Sequence, residues 1–140
     1  MKAIATISLL AGAVSALGLG GLMLMASEAD EAPDELAGSA WTLIAWSDES
    51  GLPDRPITLE FVEDRISGST SCNRYSSPLE LENRSFQIGE VATTMMFCID
   101  TAEAETIYLN LLSQVDSYER VGDNLILSDG FSERLRFEAS

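Results

Sequence analysis

Ser67-Gly68-Ser69-Thr70-Ser71-Cys72-Asn73-Arg74-Tyr75, read together with Thr93-Thr94-Met95-Met96-Phe97-Cys98, decides how this chain is organised. The two segments hold its only cysteines. Both follow a leader that reads as an export signal, and an exported chain with two cysteines favours a disulfide between Cys72 and Cys98. Closing that loop disfavours the unfolded state by roughly 3 to 4 kcal/mol in the chain-entropy model. Two buried free thiols, or reactive or metal-binding thiols, are the other readings. A cysteine nucleophile normally needs a base such as histidine, and the chain has none. Zinc needs four ligands, which two cysteines do not supply.

The leader runs from Met1 to Ala26. Lys2 provides a short positive start, and an apolar run follows to Ala26. Val14 and Ala16 offer one cleavage site; Ser27 and Ala29 offer a later one that better fits the continuing run Leu22-Met23-Leu24-Met25. Left uncleaved, the run is long enough to span a bilayer as an N-terminal anchor. No cysteine near its end could carry a lipid. Either way the rest of the chain is expected outside the cytoplasm, periplasmic or secreted. Residues 27–35 are acidic, carry one proline and lack large apolar side chains, which predicts a disordered spacer. The globular domain is then expected over 36–138.

Acidic residues number 23 against 8 basic ones, for a net charge of −15. Lys2 is the only lysine. Such a surface repels nucleic-acid phosphates and anionic lipid headgroups, so no nucleic-acid partner is expected, and no membrane contact except through an uncleaved leader. Solubility explains most of this charge; a cationic partner is the functional alternative.

Past the spacer the pattern is mostly period two. Trp41, Leu43 and Ala45 define a first strand, with Trp41 a core anchor and Trp46, five residues on, expected on the opposite face. Residues 47–56 form a solvated loop whose carboxylates match no calcium motif. Ile57–Phe61 and Arg65–Gly68 form a hairpin around Glu63-Asp64, and Gly68 marks a bulge or a close backbone approach. Ser76-Ser77-Pro78 reads as a turn. Leu79–Leu81 and Ser85–Val91 read as strands around Glu82-Asn83-Arg84. Asn83-Arg84-Ser85 is formally a glycosylation sequon and carries no weight here. Met95 and Met96 read as gap-filling core. Asp100 to Val115 is the one helix, with Asp100 as N-cap, Glu103 completing a capping box, and Glu103 and Glu105 favoured by the helix dipole. Ser117–Val121 and Asn124–Leu127 meet across Gly122-Asp123, and Glu133–Glu138 closes the sheet with Leu135 and Phe137 facing in. The fold class is therefore mainly β (α+β): a small, strongly curved antiparallel sheet or partly closed β-barrel of about eight short strands, with one amphipathic helix packed on it.

The order Leu36-x-Gly38-x-x-Trp41, Gly68-x-x-x-Cys72-Asn73-Arg74-Tyr75, Thr93-Thr94-Met95-Met96-x-Cys98, a helix, then Tyr118-x-x-x-Gly122-x-x-Leu125-x-Leu127 resembles the META domain, the heat-shock HslJ-like family of exported bacterial proteins. The resemblance covers Leu36 to Phe137. Its two cysteine-bearing elements are specific together and weak singly. The chain departs from the family pattern at Ser76 and Ser77, where a glycine is usual. The resemblance implies a curved or barrel-like antiparallel sheet with one helix, and envelope or stress-related roles rather than a defined reaction. It carries over no catalytic residues.

The leading expectation is a non-catalytic, monomeric envelope binding module for a protein or a small ligand, without cofactor or metal. An inhibitor of a basic extracellular or envelope enzyme, of lysozyme or protease type, is the alternative. A hydrolase built on paired carboxylates ranks third. Asn73, Arg74 and Tyr75 form a candidate ligand-facing cluster beside the disulfide. The structural reading of the same residues has Asn73 bonding backbone, Tyr75 packed, and Arg74 paired with a carboxylate.

Overall fold

The computed structural model describes residues 35–140, so the leader and nearly all of the acidic spacer lie outside the described residues. Nine strands and one helix follow in the order β1 (Ala40–Trp46), β2 (Thr58–Val62), β3 (Arg65–Ser69), β4 (Arg74–Glu82), β5 (Ser85–Ile88), β6 (Ala92–Thr93), α1 (Ala102–Leu112), β7 (Ser117–Val121), β8 (Asn124–Ser128) and β9 (Glu133–Ala139). All pairings are antiparallel.

The sheet order is β3-β2-β1-β9-β8-β7-β5-β4-β6, and β3 also pairs with β4, so hydrogen bonding runs as a ring through eight strands. The ring is uneven. Its seam between β5 and β7 rests on the single pair Ser85↔Ser117, flanked by Phe86 N–H to Asp116 O and Tyr118 N–H to Arg84 O. Two-residue hairpins at Glu63-Asp64, Asn83-Arg84 and Gly122-Asp123 build most of it. Glu63, Asn83 and Gly122 each take the left-handed backbone that such turns require. The β8–β9 connection is held by Asp129, whose carboxylate accepts the Phe131 and Ser132 N–H groups and pairs with Arg134 at 2.9 Å. Those N–H donors, Ser132 first, lower its carboxyl pKa to about 2.

Period-two patterning accounts for the core. Leu59 and Phe61 of β2, Leu125 and Leu127 of β8, and Leu135 and Phe137 of β9 all point inward and are buried. The ring is filled rather than hollow. Helix α1 buries Tyr108, Leu111 and Leu112 in the same core. The Tyr108 ring packs edge-on against Tyr75 of β4 and Phe137 of β9, strands on opposite sides of the ring, so the helix closes the structure with one aromatic plug. Tyr75 Oη donates to Thr58 O (2.8 Å) and lies 2.6 Å from Tyr108 Oη, which leaves Tyr108 as the donor between the two phenols.

Three local expectations are corrected. A bulge between Leu43 and Ala45 shifts the β1–β9 register, so that Trp46 pairs with Leu135 and packs against the core on the side that Trp41 and Leu43 occupy. Ser76-Ser77-Pro78 is not a turn but the middle of β4. Pro78 sits where that strand changes partner: Arg65↔Pro78 is the end of the β3 pairing and Leu79↔Ile88 begins the β5 pairing. The missing N–H of proline is least costly there, and the buried Ser77 hydroxyl has its one proton between two acceptors, Pro78 O at 2.8 Å and Gly89 O at 3.2 Å. The helix begins at Ala102, with Thr101 rather than Asp100 at the N-cap and no side-chain cap bond. Cys98 O accepts the Thr101 and Ala102 N–H groups, and Asp100 faces Arg55 at 3.6 Å.

Gly68 lies where β3 crosses against β2, and a Cβ there would overlap the backbone carbonyl of Thr58. Gly68→Ala is expected to destabilise the domain by about 1–3 kcal/mol, read as a lower urea midpoint with unchanged slope. Burial raises the pKa of both Tyr75 and Tyr108 above the ordinary phenol value. The folded state therefore holds these protons more tightly than the unfolded chain does. Stability should be flat up to about pH 10 and then fall by roughly 1.4 kcal/mol per pH unit for each phenol. Denaturant titrations across the alkaline range, with Tyr75→Phe for comparison, measure this.

Candidate functional site

The connection from β3 to β4, Thr70 to Asn73, is tied to two other segments: the extended stretch between β6 and α1, and the first turns of α1. Ser71 takes a left-handed backbone and bonds its hydroxyl to Arg55 O (3.0 Å), which turns the chain and brings Cys72 beside Cys98. The two cysteines are joined across 26 residues, with their Cα atoms 5.8 Å apart.

Asn73 is buried, and its side-chain amide uses all four of its hydrogen-bonding positions. Oδ1 accepts from Thr94 Oγ1 (2.7 Å) and Met96 N (2.8 Å). Nδ2 donates to Met96 O (3.1 Å) and to the Glu105 carboxylate (2.9 Å to Oε2). The amide thus grips both backbone groups of Met96 as a neighbouring strand would. The orientation is determined, because a flipped amide would set NH₂ against the Met96 N–H. Thr70 completes the knot. Its hydroxyl accepts the Asn73 N–H (2.8 Å) and gives its one proton to Glu105 Oε2 at 2.7 Å, closer than Asn73 O at 3.2 Å. Arg74 N–H bonds Thr94 Oγ1, and Thr94 N–H returns to Arg74 O, both at 3.0 Å.

Of the candidate cluster, Asn73 and Tyr75 point inward and are bonded within the protein, while the Arg74 side chain is exposed and lies 3.7 Å from Glu60. An open depression of 360 Å³ lies beside it, lined by Ser67, Arg74, Ser76, Thr93 and Thr94 among others. A larger one of 650 Å³ lies over Ala37–Ala40 and Glu60–Glu63. Both are surface hollows. The role of Glu105 was missed in the sequence, where the helix dipole accounted for it. The only available signal was that a buried Asn and Thr in the β3–β4 connection would need hydrogen-bond acceptors from some other segment.

The methionine pair is the main correction. Met95, Met96, Phe97 and Ile99 are 89%, 61%, 78% and 85% exposed, not core. The physical reason lies in the tethers. Asn73 holds the Met96 backbone and the disulfide holds Cys98, so the inward-facing positions of this stretch are taken by a polar clamp and a sulfur bridge. The large apolar side chains are left outside.

These features define a small, filled, disulfide-tied β-ring domain with one helix and an exposed apolar edge. The chain belongs to the META domain family, whose model matches residues 34–140. An NMR structure of a protein from Burkholderia xenovorans is similar at 27% identity with a TM-score of 0.62, covering 78% of this chain and 86% of that one. A second NMR structure is 23% identical with a TM-score of 0.59, covering 76% of this chain and 92% of that one. The crystal structure of a DUF4847 family protein from Bacteroides vulgatus shares the fold at 12% identity and a TM-score of 0.58, covering 75% and 94%. No curated protein matches the chain.

Asn73→Asp keeps the shape but replaces a donor with a charged acceptor facing Glu105 and Met96 O. It should cost roughly 2–4 kcal/mol, more than Asn73→Ala. Urea unfolding of the two variants at neutral pH measures the difference.

Proposed function

We propose that this META domain is a non-catalytic binding module acting outside the cytoplasm, and that it contacts another protein through the stretch Met95–Ile99. The observation that carries the reading is four large apolar side chains exposed on a backbone pinned at two points. Burying such side chains is worth roughly 1.5–3 kcal/mol each, and a pre-ordered loop loses little entropy on docking. The polar groups of the neighbouring cluster are already used within the fold, which leaves Arg74 as its one solvent-facing member. The filled interior argues against a ligand held inside the ring. The envelope or stress-related setting is supported by the leader and the family.

Inhibition of a basic extracellular or envelope enzyme is the narrower form of this reading. What favours it is an exposed, tethered apolar stretch on a chain of net charge −15.

A photo-crosslinking residue placed at Phe97, compared with one at Val121, another exposed apolar position, tests the reading in cells. A discrete protein adduct at 97 and none at 121 is the expected result. No adduct at 97, or equal labelling at both positions, would contradict it.

A further inference from the structure

The sheet ends on β6, which pairs only with β4 among the described residues. Beyond Thr93 the inner edge stays occupied, by Thr94 N–H to Arg74 O and then by the Asn73 amide on both backbone groups of Met96. In an extended chain the backbone groups of alternate residues face opposite edges. Thr94 and Met96 both bond toward β4 and Asn73, the pattern of an extended chain, which would turn the backbone groups of Met95 and Phe97 to the other side; no hydrogen bond among the described residues engages those groups. Natural sheets blunt such an edge with proline, lysine, a bulge or an inward charge. The run Thr93-Thr94-Met95-Met96-Phe97-Cys98-Ile99 has no proline, lysine or other charge. Asn73 in effect extends the sheet past β6 while leaving the outer side open.

We propose that this edge receives an extended segment of a partner protein as an added β-strand, with backbone bonds to Met95 and Phe97 and apolar contacts to their side chains. This rests on the binding-module reading above and names its mode and its partner chemistry. The added segment alternates β-branched residues with arginine or lysine. Its cationic character follows from the net charge of −15 and from exposed Glu103, which follows the edge in sequence; Asp100 there already faces Arg55. A second copy of this chain would bring the same charge to the contact, and an anionic membrane would be repelled likewise.

The test uses the full domain, amide NMR and a blocked peptide of alternating arginine and valine, with the glutamate–valine peptide as control. Saturable shifts confined to Thr93–Ile99 are expected with the arginine peptide alone, weakening several-fold as salt rises. Met95→Pro removes an N–H that no hydrogen bond among the described residues uses, and should weaken binding about tenfold or more with little change in melting temperature. An arginine–valine peptide N-methylated at alternate residues should also fail to bind, whatever the variant's folding. Absent or scattered shifts, or undiminished binding by the methylated peptide, would overturn the proposal. Self-association of the domain through the same amides would assign the edge to a second copy, and preferential binding to phosphatidylglycerol vesicles would assign it to a membrane; either overturns it. A missing peptide response alongside a Phe97 crosslink would sink strand addition alone, whereas loss of both would remove the binding-module reading as well.

Discussion

The side-chain amide of one asparagine fixes the least regular part of this domain. The stretch from Thr94 to Thr101 has no ladder of its own, yet its backbone groups must be satisfied wherever water is excluded. Asn73 supplies a donor and an acceptor to one peptide unit, Met96, and passes its remaining proton to Glu105 at the start of α1. The Cys72–Cys98 bridge ties the same segments two residues further on. Together the polar clamp and the covalent bond join the β3–β4 connection, the free edge and the helix start. Tyr108, seven residues beyond Thr101, is thereby brought to the centre of the ring.

Much of the ring was legible because burial on one face of a strand leaves a period-two trace. The traces over Thr58–Val62, Asn124–Ser128 and Glu133–Ala139 are clean, and two-residue turns separate the hairpins where small or polar residues tolerate a left-handed backbone. The paired cysteines were readable because the chain has only two and the sequence ahead of them reads as an export signal. Less of the rest was visible. A bulge leaves no compositional mark at Ile44, so the face of Trp46 was misassigned. Ser76-Ser77-Pro78 carries turn chemistry, but tertiary pairing on both sides overrides it. The most informative error concerns Met95 and Met96, where residue type argues for burial. Exposure follows only once the inward positions are known to be filled by an amide and a sulfur bridge, and both of those partners lie more than twenty residues away along the chain.

The interior is packed and the polar cluster is internally bonded, so the solvent-facing features of this domain lie on its rim. The likeness to small domains from Burkholderia xenovorans and Bacteroides vulgatus is a likeness of fold, and it fits a scaffold on which different surfaces can be displayed. Here the displayed surface is apolar, held by short tethers, and set on a strongly acidic body.

Native-state hydrogen exchange of three consecutive amides tests the asparagine clamp most directly. With Met96 bonded to Asn73 and no hydrogen bond among the described residues engaging its neighbours' amides, the Met96 amide should exchange orders of magnitude more slowly than those of Met95 and Phe97. Three amides exchanging at one common, fast rate would contradict the account.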